Sequence, residues 1–315
     1  MRGSQVQRRK EVAVVGSRHR GNRTWRVRTV RFLGALVVIA TSIVLVATGP
    51  AKPYYVSLGD SYSVGFQHDI GSTSGYTAVV AGALGMQLEN FGCAGATTSS
   101  MLDQIGCSAD FVARTDGVPY PTTTQTSAAD AFLQAHRSQI GLITLSIGWN
   151  TFGPCATAAS SVPCTAAALA GLTSHLAVVT SDLRSAVGPG VPIIGIGYPD
   201  VILGHWVFPP GQTDPTLARM SVVAAKDDIN PALTAAYHAA GDGFVDVTTA
   251  TGANDPLTET TTLAPYGTIP VAVARVCELT YYCTSGTIHP DMSGYALIGD
   301  LVVSSYHAMT AGRGS

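Results

Sequence analysis

The chain has 315 residues, of which 46% are hydrophobic and 12% charged, enough apolar content to bury a full core. Its formal net charge of −2 conceals a split: ten of the 18 Lys and Arg lie in residues 1–31 against one acid, Glu11, which leaves 8 basic and 19 acidic side chains, a net −11, in the remainder. A field of that sign repels phosphate backbones, so nucleic acid is excluded as an expected partner.

Taken in chain order, the basic stretch 1–31 leads into FLGALVVIATSIVLVATG (32–49), which carries no charge. This reads as a membrane-inserting segment with a cytoplasmic amino terminus, and two alternatives stay open, a signal-peptide core or a single membrane anchor. Either way the rest of the chain is expected outside the membrane, secreted or anchored. The apolar run YYVSL (54–58) then breaks into GDSYSVG (59–65). A strand that ends in a small-residue turn and opens a helix exposes a hydroxyl at the carboxyl edge of a sheet, so Ser61 is a candidate nucleophile.

A short strand is expected at MQLENF (86–91), followed by NFGCAGATT (90–98), where Gly95 can present its N–H without a side chain in the way. AADAFLQAHRSQ (128–139) reads as a helix and LITLSI (142–147) as a strand, with Asn150 just beyond it in SIGWN. A second long helix spans 168–187, and strands follow at VPIIGIG (191–197) and GFVDV (243–247). HWVFPPGQTDP (205–215) is a loop whose apolar residues either meet acyl chains or cover the core. The last segment, 293–309, has helical spacing with Ser293 as its cap. Continuous apolar strands alternating with helices predict a parallel sheet buried on both faces, hence a three-layer α/β/α sandwich in one domain, 54–310.

The six cysteines fall into three local pairs, Cys93 with Cys107, Cys155 with Cys164 and Cys277 with Cys283. Nearest-neighbour disulfides are expected, each holding one loop rigid in an oxidising compartment. No C-x-x-C with histidines is present, so no metal site and no cofactor is expected. Hydrolysis by a serine needs a base, and His289 in GTIHPDMSG sits on a loop before a proline and a helix start. His136, His175 and His238 lie in helical stretches, His19 in the basic tail, and His68 and His205 in loops that could line a pocket.

In combination, GDS, then N-x-x-x-x-G some thirty residues on, G-x-N after a middle strand and HP near the carboxyl end resemble the SGNH hydrolase (GDSL lipase and esterase) family. The three cysteine pairs resemble those of its secreted bacterial members. The resemblance implies a flavodoxin-like sheet, Ser61 as nucleophile, His289 as base, and an oxyanion hole from the N–H groups of Ser61 and Gly95 and the Asn150 amide. One departure stands out. The family's D-x-x-H pattern would put an aspartate where this chain has Gly286, so the backbone carbonyl of Gly286 or Thr287 is the expected partner of the imidazole, as in members that lack the acid. Asp291 and Asp255 are weaker candidates, since either would have to fold back. Thr151 replaces a common aspartate, and Trp149 either lines the site or packs on the sheet. The expected function is an exported serine ester hydrolase, a lipase, esterase or phospholipase, working through an acyl-enzyme on lipid or short-acyl esters. The alternatives are an acyltransferase or esterase on cell-envelope glycans, and a catalytically silent lipid- or glycan-binding domain.

Overall fold

The computed structural model describes residues 51–67, 71–72, 75–153, 155 and 161–311. The readings made for 1–31, 32–49 and His68 lie outside the described residues, all of which belong to one compact unit. Five strands build its sheet: β1 (Tyr54–Gly59), β2 (Gln87–Asn90), β3 (Ile140–Ser146), β4 (Ile193–Ile196) and β5 (Gly243–Val245), in the order β2-β1-β3-β4-β5. Every neighbouring pair runs parallel. This is the flavodoxin-like order, in which β1 and β3 flank the point where the chain switches direction across the sheet and ligands collect at the strands' carboxyl ends.

Successive side chains on a strand face opposite ways, and the two cores follow from that alternation. Val56, Leu58, Ile143, Leu145 and Ile193 point to one face. There they meet α4 (Gln125–Ala135), α6 (Ser161–Val187) and α8 (Asn230–Ala239) through Leu133, Leu172, Leu176, Val179 and Leu233. Tyr55, Leu88, Leu142, Ile194, Ile196 and Val245 point to the other, against α2 (Tyr76–Leu84) and α12 (Met292–Ala311), represented by Tyr76, Val80, Tyr295, Ile298 and Val302. The remaining helices are α1 (Ser61–Val64), α3 (Thr98–Asp103), α5 (Trp149–Phe152), α7 (Pro215–Val223), α9 (Val247–Ala250), α10 (Val271–Leu279) and α11 (Tyr282–Ser285). Residues Pro163–Val187 are long and apolar enough to cross a membrane, but the inward stripe of that helix is buried against the sheet, which is how a core helix reads.

Of the element boundaries that differ from expectation, two have a clear local reason. β5 stops at Val245 because Asp246 leaves the strand to cap α9, its carboxylate accepting from the Thr249 N–H at 3.0 Å and the Thr249 hydroxyl at 2.7 Å. The final helix is capped by Asp291, whose Oδ1 accepts from the Gly294 N–H at 2.9 Å, and Ser293 lies inside it. A third cluster escaped the sequence altogether. An antiparallel hairpin, Thr260–Leu263 with Gly267–Pro270, and α10 enclose Leu203, Ile269, Val273 and Val276. Trp206 and Val207 pack on this cluster, with the Arg219 guanidinium 4.6 Å above the Trp206 ring. Of the two readings for 205–215, these two side chains take the second and cover core. The disulfides pair as expected, Cys93–Cys107, Cys155–Cys164 and Cys277–Cys283.

Candidate active site

The turn that carries Ser61 is fixed by what surrounds Gly59. Its φ of +132° suits only glycine, and a Cβ there would stand 1.9 Å from the Ser146 carbonyl oxygen at the end of β3. That same carbonyl accepts from the Asp60 N–H at 2.9 Å. Gln125, first residue of α4 and almost fully buried, brackets Gly59 from the other side. Its Oε1 accepts from the Gly59 N–H at 2.8 Å, and its Nε2 donates to the Gly59 carbonyl at 3.1 Å and to the Tyr120 hydroxyl at 3.2 Å. Asp60 then caps α1 by accepting from the Tyr62 N–H at 3.0 Å, which leaves Ser61 as the first helical residue, 6% exposed. The second carboxylate oxygen of Asp60 accepts from the Tyr198 hydroxyl at 2.6 Å.

Burial dominates the electrostatics of this turn. It pushes the Asp60 carboxyl up to about 7, against the pull of the Tyr198 hydroxyl and the Tyr62 N–H. Burial first and the Asp60 charge second push the Tyr62 phenol well above its ordinary range, and the same two causes act on Tyr198. Both phenols therefore stay protonated and act as donors at any working pH.

Three further segments converge on the turn. The first leaves β2 through Asn90, whose Nδ2 donates to the Ser63 carbonyl at 2.7 Å, and Cys93, whose N–H donates to the Gly59 carbonyl at 2.9 Å. Two residues on, Gly95 has φ +83° with open space where a Cβ would stand, so backbone conformation and not crowding requires the glycine. The second segment leaves β3 through Gly148, and Asn150 in α5 donates one amide hydrogen to the Ala96 carbonyl at 2.9 Å, next to Gly95. An amide has two such hydrogens, so one is left for a ligand. The third segment carries His289. The Tyr62 hydroxyl donates to the Ile288 carbonyl at 2.6 Å, the Phe66 ring centroid is 4.6 Å from the imidazole, and the His289 carbonyl accepts from the Tyr281 N–H at 3.1 Å.

A serine on a strand-to-helix turn, with segments that leave β2 and β3 and a loop that carries a histidine gathered around it, is an arrangement compatible with acyl transfer, and the family model described as GDSL-like Lipase/Acylhydrolase family matches residues 57–297. The chain belongs to that family. A search of curated protein sequences finds no match. Among solved structures it is similar to phospholipase A1 from Streptomyces albidoflavus NA297, at 20% identity and TM-score 0.48 over 81% of this chain and 100% of that one. It is also similar to the extracellular lipase of Streptomyces rimosus, at 20% identity and TM-score 0.49 over 80% and 99%. A third similar structure is the lipase Lip_vut3 from a goat rumen metagenome, at 14% identity and TM-score 0.47 over 81% and 97%.

Where this GDSL family member departs from the family's acid, the backbone supplies a reason. Gly286 ends α11 at φ +73°, and a Cβ there would stand 2.7 Å from the Phe208 ring. Position 286 is thus a left-handed cap under an aromatic lid, a setting that disfavours a carboxylate. Thr287 follows, its hydroxyl accepting from Ser285 at 3.1 Å. The Asp291 carboxylate is engaged in the cap of α12, and Asp255 sits in the turn after α9 beside Gly252. His205 shares a hydrogen bond with the Tyr282 hydroxyl at 2.8 Å, and Phe208 meets the same ring edge to face. His136 meets Tyr54 edge to face and Phe132 at a tilt, and His175 lies 3.4 Å from the Thr98 hydroxyl. Trp149 packs on the second core cluster beside Tyr198, and the Thr151 hydroxyl is buried without a hydrogen-bond partner among the described residues. Gln125, Tyr62 and Tyr198 were not legible as site residues. Tyr62 lay inside the GDSYSVG motif with its role unassigned; Gln125 and Tyr198 reach the turn only across the fold. Among the described residues no cluster of potential metal ligands occurs.

Proposed function

We propose that this GDSL family member is an exported carboxylic-ester hydrolase, its catalytic domain spanning 54–310, with Ser61 as nucleophile and His289 as general base. In this reading the Ser61 Oγ attacks the ester carbonyl while His289 takes its proton. The tetrahedral oxyanion is met by the N–H groups of Ser61 and Gly95 and by the second amide hydrogen of Asn150. The C–O bond then breaks, His289 returns the proton to the departing alcohol, and Ser61 carries the acyl group. Water, deprotonated by His289, attacks that acyl-enzyme, and the acid leaves with Ser61 restored. The carbonyl of Gly286 or Thr287 is the proposed acceptor for the other imidazole N–H, which fixes the tautomer without a charge. Lipid or short-acyl esters are the proposed substrates.

The single observation that carries this reading is the set of hydrogen bonds that join the turn of Ser61 to the segments of Gly95 and His289, and the segment of Gly95 to Asn150. Three disulfides support export, since they persist in oxidising compartments, and 32–49 would serve as its signal or anchor. The test is turnover of nitrophenyl esters over a range of acyl lengths by wild type and Ser61→Ala, with fluorophosphonate labelling alongside. Turnover and labelling that both vanish in Ser61→Ala are expected. A wild type that neither hydrolyses any of these esters nor takes the label overturns the reading.

A further inference from the structure

The two halves of the proposed dyad come from opposite ends of the chain, and one side-chain hydrogen bond links the residue after Ser61 to the residue before His289. Tyr62 and Ile288 are 226 positions apart, and the phenol oxygen stands 2.6 Å from the Ile288 carbonyl. The geometry leaves the phenol little freedom. Tyr62 is 2% exposed, its ring is met edge to face by Tyr198 at 4.7 Å and by Tyr295 at 6.1 Å, and the imidazole of His289 lies 6.1 Å away. A carbonyl has no proton to give, so the phenol must be the donor, and burial keeps it protonated.

Downstream, backbone bonds also hold the His289 segment: Tyr281 N–H to the His289 carbonyl at 3.1 Å, and Asp291 N–H to the Leu279 carbonyl at 3.0 Å. Both attach it to the loop closed by Cys277–Cys283. Those bonds fix the histidine loop to its own neighbourhood and not to the nucleophile. An acid at 286 would help orient the imidazole, and there the chain has glycine at φ +73°.

We propose that Tyr62 is a positioning residue: its hydroxyl, by holding the Ile288 carbonyl, sets the distance and direction of His289 relative to Ser61. The inference rests on the proposed roles of Ser61 and His289. Its chemistry is geometric, since the phenol transfers no proton and touches no substrate. An error of about 1 Å between reacting groups is enough to lower a rate about a hundredfold.

The test uses the full chain with Tyr62→Phe, which removes one oxygen and keeps the ring. Steady-state hydrolysis of a nitrophenyl ester should show kcat down by about ten- to a hundredfold with KM within about twofold. Hydrogen–deuterium exchange should accelerate in 286–292 while 140–146 stays protected. p-Aminophenylalanine at position 62, which puts an N–H donor where the hydroxyl was, should recover most of kcat. A folded Tyr62→Phe with wild-type kcat overturns the proposal, and so does a loss of kcat that p-aminophenylalanine fails to recover, because a purely structural role would not need the donor. Should Tyr62→Phe fail to fold, the p-aminophenylalanine protein carries the test alone: near-wild-type kcat with 286–292 protected supports the tether, and a folded protein with slow turnover overturns it. Exchange needs no turnover. If wild type proves inactive on esters, the hydrolase reading falls by itself, and unchanged exchange in 286–292 of Tyr62→Phe would sink the tether separately.

Discussion

Asp60 offers the sharpest quantitative test, because its carboxyl is buried beside Ser61 and its ionisation is opposed by the fold. An ordinary aspartate loses its proton near 3.8, and burial holds that of Asp60 to about 7. Between those values the unfolded chain has released a proton that the folded chain keeps, so the folded state binds more protons and stability must fall as pH rises. The full contribution is present below 3.8, drains away from there to about 7, and stays lost above it. At about 1.4 kcal/mol per pH unit the fall is about 4 kcal/mol, a large share of the roughly 5–15 kcal/mol that typically holds a domain together. Asp60→Asn removes the ionisation and keeps an oxygen to accept from the Tyr62 N–H. The variant should be slightly less stable than wild type near pH 4.5, where it loses the Tyr198 hydroxyl's present acceptor, and clearly more stable at pH 8. Urea unfolding of both proteins under non-oxidising, non-reducing conditions at pH 4.5, 6 and 8 measures the difference. Asp200, also buried and pushed up to about 6, titrates in both proteins and cancels. Two stability curves that run parallel from pH 4.5 to 8 would refute the assignment of Asp60 as a charge the fold resists.

Other outcomes follow from the same contacts. Gln125→Leu leaves the Gly59 N–H buried without an acceptor, while the Gly59 carbonyl keeps the Cys93 N–H; a loss of about 2–3 kcal/mol in urea unfolding is expected, with kcat falling further than stability alone explains. Gly286→Asp restores the family's acid in sequence but places a side chain at φ +73° against Phe208; it should lower Tm and activity together, and a gain in kcat would show that the loop adapts. Replacing Cys277 and Cys283 by serine opens a loop with sequence separation 6; about 2 kcal/mol should be lost, with faster exchange in 277–292 before any change in 57–65.

The parts of this molecule that were legible in advance are those encoded by neighbours in sequence. Apolar runs marked β1, β3 and β4, because a parallel strand buried on both faces needs no alternation, while the edge strands β2 and β5 are shorter and partly exposed. Local cysteine pairs gave the disulfides, because each closes a short loop. Gly59 and Gly95 could be singled out, because each stands where the backbone turns. Strand order came only through the family resemblance, which implies a flavodoxin-like sheet, since nothing local distinguishes a crossover that returns beside β1 from one that continues outward. The 260–270 hairpin was equally hidden, its threonines carrying no apolar run. Gln125 lies ahead of the helix read at 128–139, and its task, pairing with both polar groups of Gly59, exists only once α4 has packed on β1.

These contacts divide the site into unequal halves. The turn of Ser61 is fixed from several directions at once, by Gln125, the Ser146 carbonyl, Asn90 and Cys93. Asn90 and Ser146 are strand ends and Gln125 starts a helix packed on the core, so loosening the turn means disturbing the sheet. The histidine loop is held differently. Its attachments include the Tyr62 hydroxyl, two backbone bonds to the segment 279–281, and a disulfide upstream that closes the same segment. Of these, the Tyr62 bond is the one that reaches the turn of Ser61, while the others join the loop to the end of α10 and the start of α11. Heat, reductant or substitution should therefore act on this site first through the position of His289, with Ser61 still in place, so that ester turnover and phosphonate labelling, which both need His289 to take the Ser61 proton, should decline together before hydrogen–deuterium exchange accelerates in 57–65.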